Sequence, residues 1–144
     1  MLAQAVSLSA ADSAKHIVVI TAKSSGLTSL PLSELQKLFK VEKTKAPDGS
    51  KVVVVAQEPG TPAREIALRT LYGMSEADYT KYFLQATFTG KLQAAPKMLS
   101  PAAVKKYVAE TPGAIGYVLS TDADDSVRVI KVDDKTPFHA DYPL

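Results

Sequence analysis

The chain has 144 residues, of which 46% are hydrophobic and 22% charged, and its formal net charge is +2. This length and composition predict one globular domain with its own core, and they exclude a disordered or fibrous chain. No run reaches the roughly 20 apolar residues of a membrane-spanning helix, and the absence of cysteine excludes disulfides and thiolate chemistry.

Residues 1–15 are mostly small and polar, and Ala3-Gln4-Ala5 matches the small-x-small pattern at the end of a secretory signal. The apolar stretch that should precede this pattern is missing. Residues 1–15 are therefore expected to be either the remnant of a trimmed export signal behind a start methionine or a disordered N-terminus. The first alternative predicts a periplasmic or secreted protein whose signal peptide has been removed.

Apolar periodicity and turn signals predict four strands and four helices. In chain order these are a strand at 16–21, a helix at 32–39, a strand at 51–56, a helix at 61–72, a helix at 75–84, a helix at 100–110, and strands at 114–118 and 127–132. The last twelve residues are expected to be loop-like. The alternation predicts an α/β fold with a mixed, mostly parallel sheet flanked by helices. Residues 16–144 are expected to form a single domain.

The loop after the second predicted strand has features of an anion site. Gly60 would let the backbone approach a ligand, and Thr61 offers a hydroxyl and an N–H at a helix start, where the dipole favours negative charge. Arg64 could reach an oxyanion with two hydrogen bonds, and Gln57 could donate through its amide. The alternative is that Thr61 only caps its own helix, beside a solvated Arg64.

A second candidate loop follows the first predicted strand. Ser24 and Ser25 would supply hydroxyl donors, and Lys23 would add positive charge. Because ligands gather at the carboxyl ends of parallel strands, the two loops are expected to face one crevice. The alternative is a plain flexible loop.

Other polar clusters give no site. Asp122, Asp124 and Asp125 lack the spacing of a calcium loop and predict a solvated turn. His16 and His139 lie at opposite ends of the chain, outside any nucleophile–base pattern. The sequence therefore predicts no catalytic residue, metal ligand or cofactor, and hence no enzyme.

Charge is unevenly distributed along the chain. Residues 1–120 hold 14 Lys and Arg against 9 Asp and Glu, whereas residues 121–144 hold 3 against 6. A mildly basic body with an acidic tail favours a small anionic ligand. No basic cluster is interleaved with aromatic residues, so no nucleic-acid partner is expected.

Several segments together resemble the substrate-binding proteins of phosphate ABC transporters, which belong to the type II periplasmic binding proteins. The matching segments are Leu30-Pro31-Leu32-Ser33-Glu34-Leu35-Gln36-Lys37-Leu38-Phe39, Pro47-Asp48-Gly49-Ser50, Gln57-Glu58-Pro59-Gly60-Thr61-Pro62-Ala63-Arg64-Glu65, Phe88-Thr89-Gly90 and Thr111-Pro112-Gly113-Ala114-Ile115-Gly116-Tyr117-Val118. Their order and spacing match over residues 16–118, and the last segment is the most specific. The resemblance implies a secreted solute-binding fold that clamps phosphate between two lobes, of which this chain resembles one.

The chain departs from the family where phosphate would bind. Those proteins carry an Arg and an Asp just ahead of a Ser-Gly-Thr, whereas this chain has Gln57, Glu58 and Pro59 there. Only Gly60 and Thr61 carry over, with Arg64 as a substitute for the missing guanidinium. The loss of a bidentate Arg would remove about 1.5–3 kcal/mol of charged hydrogen bonding.

Two functions remain open from the sequence. The first is a periplasmic solute-binding protein that holds phosphate or another small oxyanion for an ABC transporter, with the transporter's membrane component as a partner. The second is a ligand-free interaction module of the same fold, which associates with itself or with an envelope protein through an apolar face.

Overall fold

The computed structural model describes residues 16–47, 49–89, 97–98, 100–136, 142 and 144, so the predicted N-terminal segment lies outside them. Strands and helices alternate along the chain. The strands are β1 Ile17–Thr21, β2 Ser29–Leu30, β3 Val53–Val54, β4 Ala56–Gln57, β5 Lys97–Met98, β6 Ala114–Leu119, β7 Arg128–Val129 and β8 Lys131–Val132. The helices are α1 Leu32–Phe39, α2 Pro62–Ala67, α3 Glu76–Phe88 and α4 Pro101–Glu110; a π-helical turn at Leu68–Tyr72 continues α2, and a 3₁₀ turn covers Ser120–Asp122.

The main sheet has four strands in the order β3-β6-β1-β7. β1 pairs antiparallel with β6, from Ile17 opposite Leu119 to Thr21 opposite Ile115, and its other edge pairs antiparallel with β7. β3 is parallel to β6, and the separate pairs β2–β8 and β4–β5 are also parallel. The predicted α/β class with a mixed sheet flanked by helices is confirmed.

Helices cover both faces of this sheet, which explains why β1 is apolar at every position but its last. Ile17 and Val19 belong to one buried cluster, together with side chains of α1, α2 and the π-helical turn. Val18 and Ile20 belong to a second cluster, which includes Val104 of α4. Because successive side chains of a strand point to opposite faces, a strand between two helical layers must be apolar on both.

Two predicted strands are each divided in the structure. The segment at 51–56 becomes β3 and β4 because β3 pairs with β6, whereas β4 pairs with β5. The segment at 127–132 becomes β7 and β8, which pair with β1 and β2. Ile130 lies between them, and its N–H donates to the carbonyl of Val19 at 2.9 Å. A change of partner within a continuous apolar run leaves no signal in the sequence.

The described part of the C-terminal segment contacts the body of the fold. The hydroxyl of Tyr142 donates to the carbonyl of Ile17 at 2.9 Å. The carboxylate of Asp133 accepts from the N–H of Leu32, the first residue of α1, at 2.9 Å. In the part of the chain that the structure describes, no helix has the length and apolar character needed to cross a lipid bilayer.

Candidate functional site

The Gly60–Thr61 corner connects β4 to α2. Gly60 has a φ of +92°, in the left-handed region that glycine adopts without strain, and it is exposed. The hydroxyl of Thr61 accepts from the N–H of Arg64 at 3.3 Å and donates to the carbonyl of Glu58 at 3.1 Å. Thr61 thus caps α2, as the sequence predicts, and Pro62 occupies the first helical position.

The guanidinium of Arg64 is buried and has three kinds of partner. Its Nε and Nη2 donate to the two carboxylate oxygens of Glu76 at 2.9 and 3.1 Å, and its Nη1 donates to the carbonyl of Gln57 at 2.7 Å. The guanidinium carbon lies 3.9 Å from the centre of the Tyr79 ring. Because Arg64 is only 1% exposed, the expectation of a solvated surface charge is wrong.

Gln57 is also buried and holds the corner to the main sheet. Its side-chain Nε2 donates to the carbonyl of Tyr117 at 2.9 Å, and its backbone N–H donates to the Tyr117 hydroxyl at 3.0 Å. Its amide group is therefore engaged with β6, whereas its carbonyl orients Arg64. Gln57 acts here as a positioning residue.

The cluster around Arg64 combines one cation, one carboxylate and several buried phenols. Burial is the largest single influence on Arg64 and opposes its charged form, but the hydrogen bond with Glu76 and the electrostatic effects of Tyr79, Tyr117 and Glu76 together leave the pKa of Arg64 raised. Burial raises the pKa of Tyr117 to about 12, although the Gln57 N–H and Arg64 act in the opposite direction. The ring of Tyr72 packs against that of Tyr79, and burial raises the pKa of Tyr72 well above the usual value. The phenols therefore stay neutral at physiological pH.

The second predicted loop does not join this site. β1 is antiparallel to β6, whereas β3 is parallel to it, so β1 and β3 run in opposite directions. The Gly60 loop follows β3 through β4, which continues along β6 to Tyr117, whereas β1 ends opposite Ile115. The two loops therefore leave opposite ends of the sheet, and the expectation of one shared crevice is wrong. Ser24 is exposed, and the hydroxyl of Ser25 accepts from the N–H of Leu27 at 3.2 Å.

Arg128 of β7 holds this second loop. Its guanidinium donates to the carbonyls of Lys23 and Ser25 at 3.0 and 3.3 Å. The loop is thus tied by backbone contacts, and Ser24 and Ser25 are placed apart from the Arg64 cluster.

The acidic turn near the C-terminus is held by a salt bridge. The Nζ of Lys105 lies 2.7 Å from the carboxylate of Asp124, which also accepts from the hydroxyl and N–H of Ser126. Lys105 and Ser126 lower the pKa of Asp124. Among the described residues, no group of three or more His, Asp or Glu side chains lies close enough to hold a metal ion.

Sequence reasoning missed Glu76, which is central to this cluster. The sequence Ser75-Glu76-Ala77-Asp78 predicts a helix start, and Ser75 does cap α3 by accepting from the N–H of Asp78 at 3.2 Å. That local pattern places Glu76 in the first turn of α3. Its partner, Arg64, lies twelve residues earlier and on another helix, so only the packing of α3 against α2 brings them together.

Comparison with known proteins identifies the fold. No family model and no curated protein matches the chain, but solved structures do. A protein from Clostridium perfringens, described as a phosphate ABC transporter substrate-binding protein with bound phosphate, superposes with a TM-score of 0.67 at 22% identity, over 84% of this chain and 46% of that one. An ABC-type phosphate transport receptor from Vibrio cholerae matches with a TM-score of 0.60 at 16% identity, over 84% and 47% of the two chains.

PstS from Borrelia burgdorferi has the same fold, with a TM-score of 0.61 at 12% identity, over 84% of this chain and 48% of that one. The resemblance found in the sequence is thus confirmed at the level of fold. The chain spans just under half the length of these solved structures, which agrees with a match to one lobe.

Proposed function

We propose that this chain binds phosphate or another small oxyanion at the corner formed by Gly60, Thr61 and Arg64, as a solute-binding protein. The observation that carries the proposal is the pairing of Arg64 with Glu76, in which two carboxylate oxygens accept from Nε and Nη2 at 2.9 and 3.1 Å. Such side-on geometry is the one in which arginine also binds phosphate. The solved structure from Clostridium perfringens, which has this fold, is described with bound phosphate.

The proposed function implies both a location and a partner. A solute-binding protein of an ABC transporter delivers its ligand to the membrane component, so the chain would work in the periplasm or outside the cell. The relatives in fold are described as transport receptors and substrate-binding proteins. The proposed role is binding, with no catalytic step.

Calorimetric titration of phosphate into protein dialysed free of phosphate and sulfate tests the proposal. We expect saturable heat with phosphate, a weaker response with sulfate, and a rise in the unfolding temperature, since a ligand at 100 times its Kd stabilises the fold by about 2.7 kcal/mol. Arg64→Lys should weaken binding, because lysine lacks the planar fork. Arg69→Lys is the matched control, since Arg69 is exposed in the next helical turn. No heat and no thermal shift at millimolar phosphate would contradict the proposal.

A second candidate, a ligand-free interaction module, has one observation in its favour. Every fully buried side-chain nitrogen and oxygen of the described residues already has a hydrogen-bond partner, so the Arg64 corner is satisfied without a ligand. On α3, Leu84 is 57% exposed and Phe88 83% exposed, which offers an apolar contact. Light scattering after size exclusion distinguishes the two: a dimer that Phe88→Ser dissociates would favour the module.

A further inference from the structure

The groups around the Arg64 guanidinium differ in their access to solvent. Gln57 is 1% exposed and Tyr79 is 4% exposed, so both are enclosed with Arg64 in the protein interior. The side chain of Glu76, in contrast, is 40% exposed. The partner that occupies the Nε–Nη2 edge is therefore the one that can exchange its contact for water.

We propose that Glu76 is an internal competitor for the oxyanion site: its carboxylate occupies the Nε–Nη2 edge of Arg64 in the free protein, and an oxyanion binds only when Glu76 turns out to solvent. This inference rests on the proposed function, and it adds that Glu76 regulates binding at the same site. A carboxylate and a phosphate both present two oxygens to the guanidinium, so the two compete for the same donors.

The remaining contacts allow this exchange without loss of the fold around it. The start of α3 is held by Ser75, which accepts from the N–H of Asp78 through its hydroxyl and from the N–H of Tyr79 through its carbonyl at 2.8 Å. Neither bond involves the carboxylate of Glu76. Arg64 keeps its hydrogen bond to the carbonyl of Gln57 and its stacking on Tyr79, so its free edge stays oriented.

The competition sets the apparent affinity. The measured Kd equals the intrinsic Kd divided by the fraction of molecules in which Glu76 is turned out. If that fraction is about one in ten, the closed state weakens binding about tenfold, which corresponds to about 1.4 kcal/mol. Removing the negative charge of Glu76 should therefore recover this tenfold loss of affinity.

The test compares Glu76→Gln with Asp78→Asn in phosphate calorimetry. Asp78 is exposed in the same turn of α3, so its substitution removes the same charge from nearly the same place without touching Arg64. We expect Glu76→Gln to bind phosphate at least tenfold more tightly than the wild type, and Asp78→Asn to stay within about twofold of it. Sodium chloride at the same ionic strength is the control for general screening of charge, and it should leave the tenfold difference between Glu76→Gln and the wild type in place.

The other outcomes separate the two proposals. Equal tightening in both variants would mean general charge repulsion and would overturn the competitor role. Wild-type binding that Glu76→Gln leaves unchanged or weakens would overturn that role and leave the proposed function intact. Binding by neither the wild type nor Glu76→Gln would overturn both.

Glu76→Gln could also unfold, because it leaves a buried cation without its counter-ion. Circular dichroism of this variant then gives the answer. Phosphate, but not chloride at equal ionic strength, should restore the helical signal by taking the place of the carboxylate. Failure of phosphate to restore it would overturn the proposal.

Discussion

Arg64 is a buried cation whose position is set by an uncharged carbonyl, an aromatic ring and one carboxylate. The bond to Gln57 and the Tyr79 ring fix the plane of the guanidinium, and Glu76 neutralises it. Two parallel N–H groups that point at one carboxylate require the planar fork of arginine, which lysine does not have.

Arg64→Lys should therefore lower the free energy of unfolding by about 1–2 kcal/mol, a value reduced from that of a fully buried pair because water screens the half-exposed Glu76. Arg69→Lys, an exposed position nearby, should change it by less than about 0.5 kcal/mol. Urea denaturation followed by circular dichroism measures both. Equal losses in the two variants would mean that the Glu76 and Tyr79 contacts contribute nothing.

The sequence predicts the capping role of Thr61 but not the burial of Arg64. The cap by Thr61 is encoded within four residues, and it was predictable because Thr-Pro at a helix start has a local physical cause. The burial of Arg64 was not predictable, because an arginine in the first turn of an amphipathic helix is usually solvated. Its burial depends on a carboxylate and a tyrosine from α3.

At the scale of the elements, Gly116 controls how closely α4 approaches β6. A Cβ at this position would lie 2.8 Å from a methyl carbon of Val104 and 3.3 Å from one of Val108. Gly116→Ala should lower the free energy of unfolding by about 1–3 kcal/mol, the usual effect of overpacking. Thermal or urea denaturation measures the change.

Gly26→Ala is the matched control for this prediction, because nothing lies within 4 Å of its Cβ position and its φ is not positive. It should be neutral or stabilise by about 0.4–1 kcal/mol. Adding Val104→Ala to Gly116→Ala should cost less than the sum of the single losses, since it removes the clash. Strict additivity would contradict the close approach.

The start of α1 depends on a residue from the C-terminal segment. Pro31 precedes the helix without a side-chain cap, and Asp133 supplies the acceptor for the N–H of Leu32 at 2.9 Å. Asp133→Gly keeps the left-handed backbone, where φ is 53°, but removes the carboxylate. We expect a loss of about 0.5–2 kcal/mol in unfolding free energy.

Asp134→Gly is a close control, because Asp134 also has a positive φ of 62°. Its carboxylate accepts from the hydroxyl of Ser29 at the surface, so its loss should cost less than that of Asp133. The same denaturation experiment compares them, and a larger loss at Asp134 would contradict the capping role of Asp133.

Element positions were largely predictable from the sequence, but strand directions were not. The run Ile17–Thr21 is apolar at four of its five positions and therefore predicts a buried strand. The same run is compatible with parallel or antiparallel pairing, because burial on both faces requires the same residues either way. Because the sequence leaves the direction of β1 open, the prediction that the Ser24 loop lies beside Gly60 is wrong.

At the scale of the whole molecule, the buried phenols make stability sensitive to alkaline pH. Burial raises the pKa of Tyr117 to about 12, above the 10 of an unfolded chain. The fold therefore favours the protonated form; this contribution is complete below pH 10 and is lost as pH rises towards 12. From Tyr117 alone, the free energy of unfolding should fall by about 1.4 kcal/mol per pH unit in this range.

Urea denaturation between pH 8 and pH 11.5 measures this slope, with tyrosinate absorbance as a second readout. Tyr117→Phe should lower stability at pH 8, because the N–H of Gln57 loses its acceptor, but it should flatten the slope above pH 10. A slope identical to that of the wild type would contradict the buried, neutral Tyr117.

The overall fold could be predicted from several sequence motifs taken together, because their order and spacing over about a hundred residues match a known arrangement of strands and helices. The chain matches under half the length of the proteins that share this fold. The contacts of Arg64 with Glu76 and Tyr79 depend on this chain's own packing, because they join α2 to α3.

The most direct test of oxyanion binding at Arg64 is a phosphate titration followed by the arginine Nε–Hε signals in ¹H–¹⁵N NMR spectra. The protein is first dialysed free of phosphate and sulfate, and the Arg64 signal is assigned with Arg64→Lys. We predict that this signal moves saturably with phosphate as the anion replaces Glu76, whereas the Arg69 signal does not. An Arg64 signal that stays fixed up to millimolar phosphate would contradict oxyanion binding at this corner.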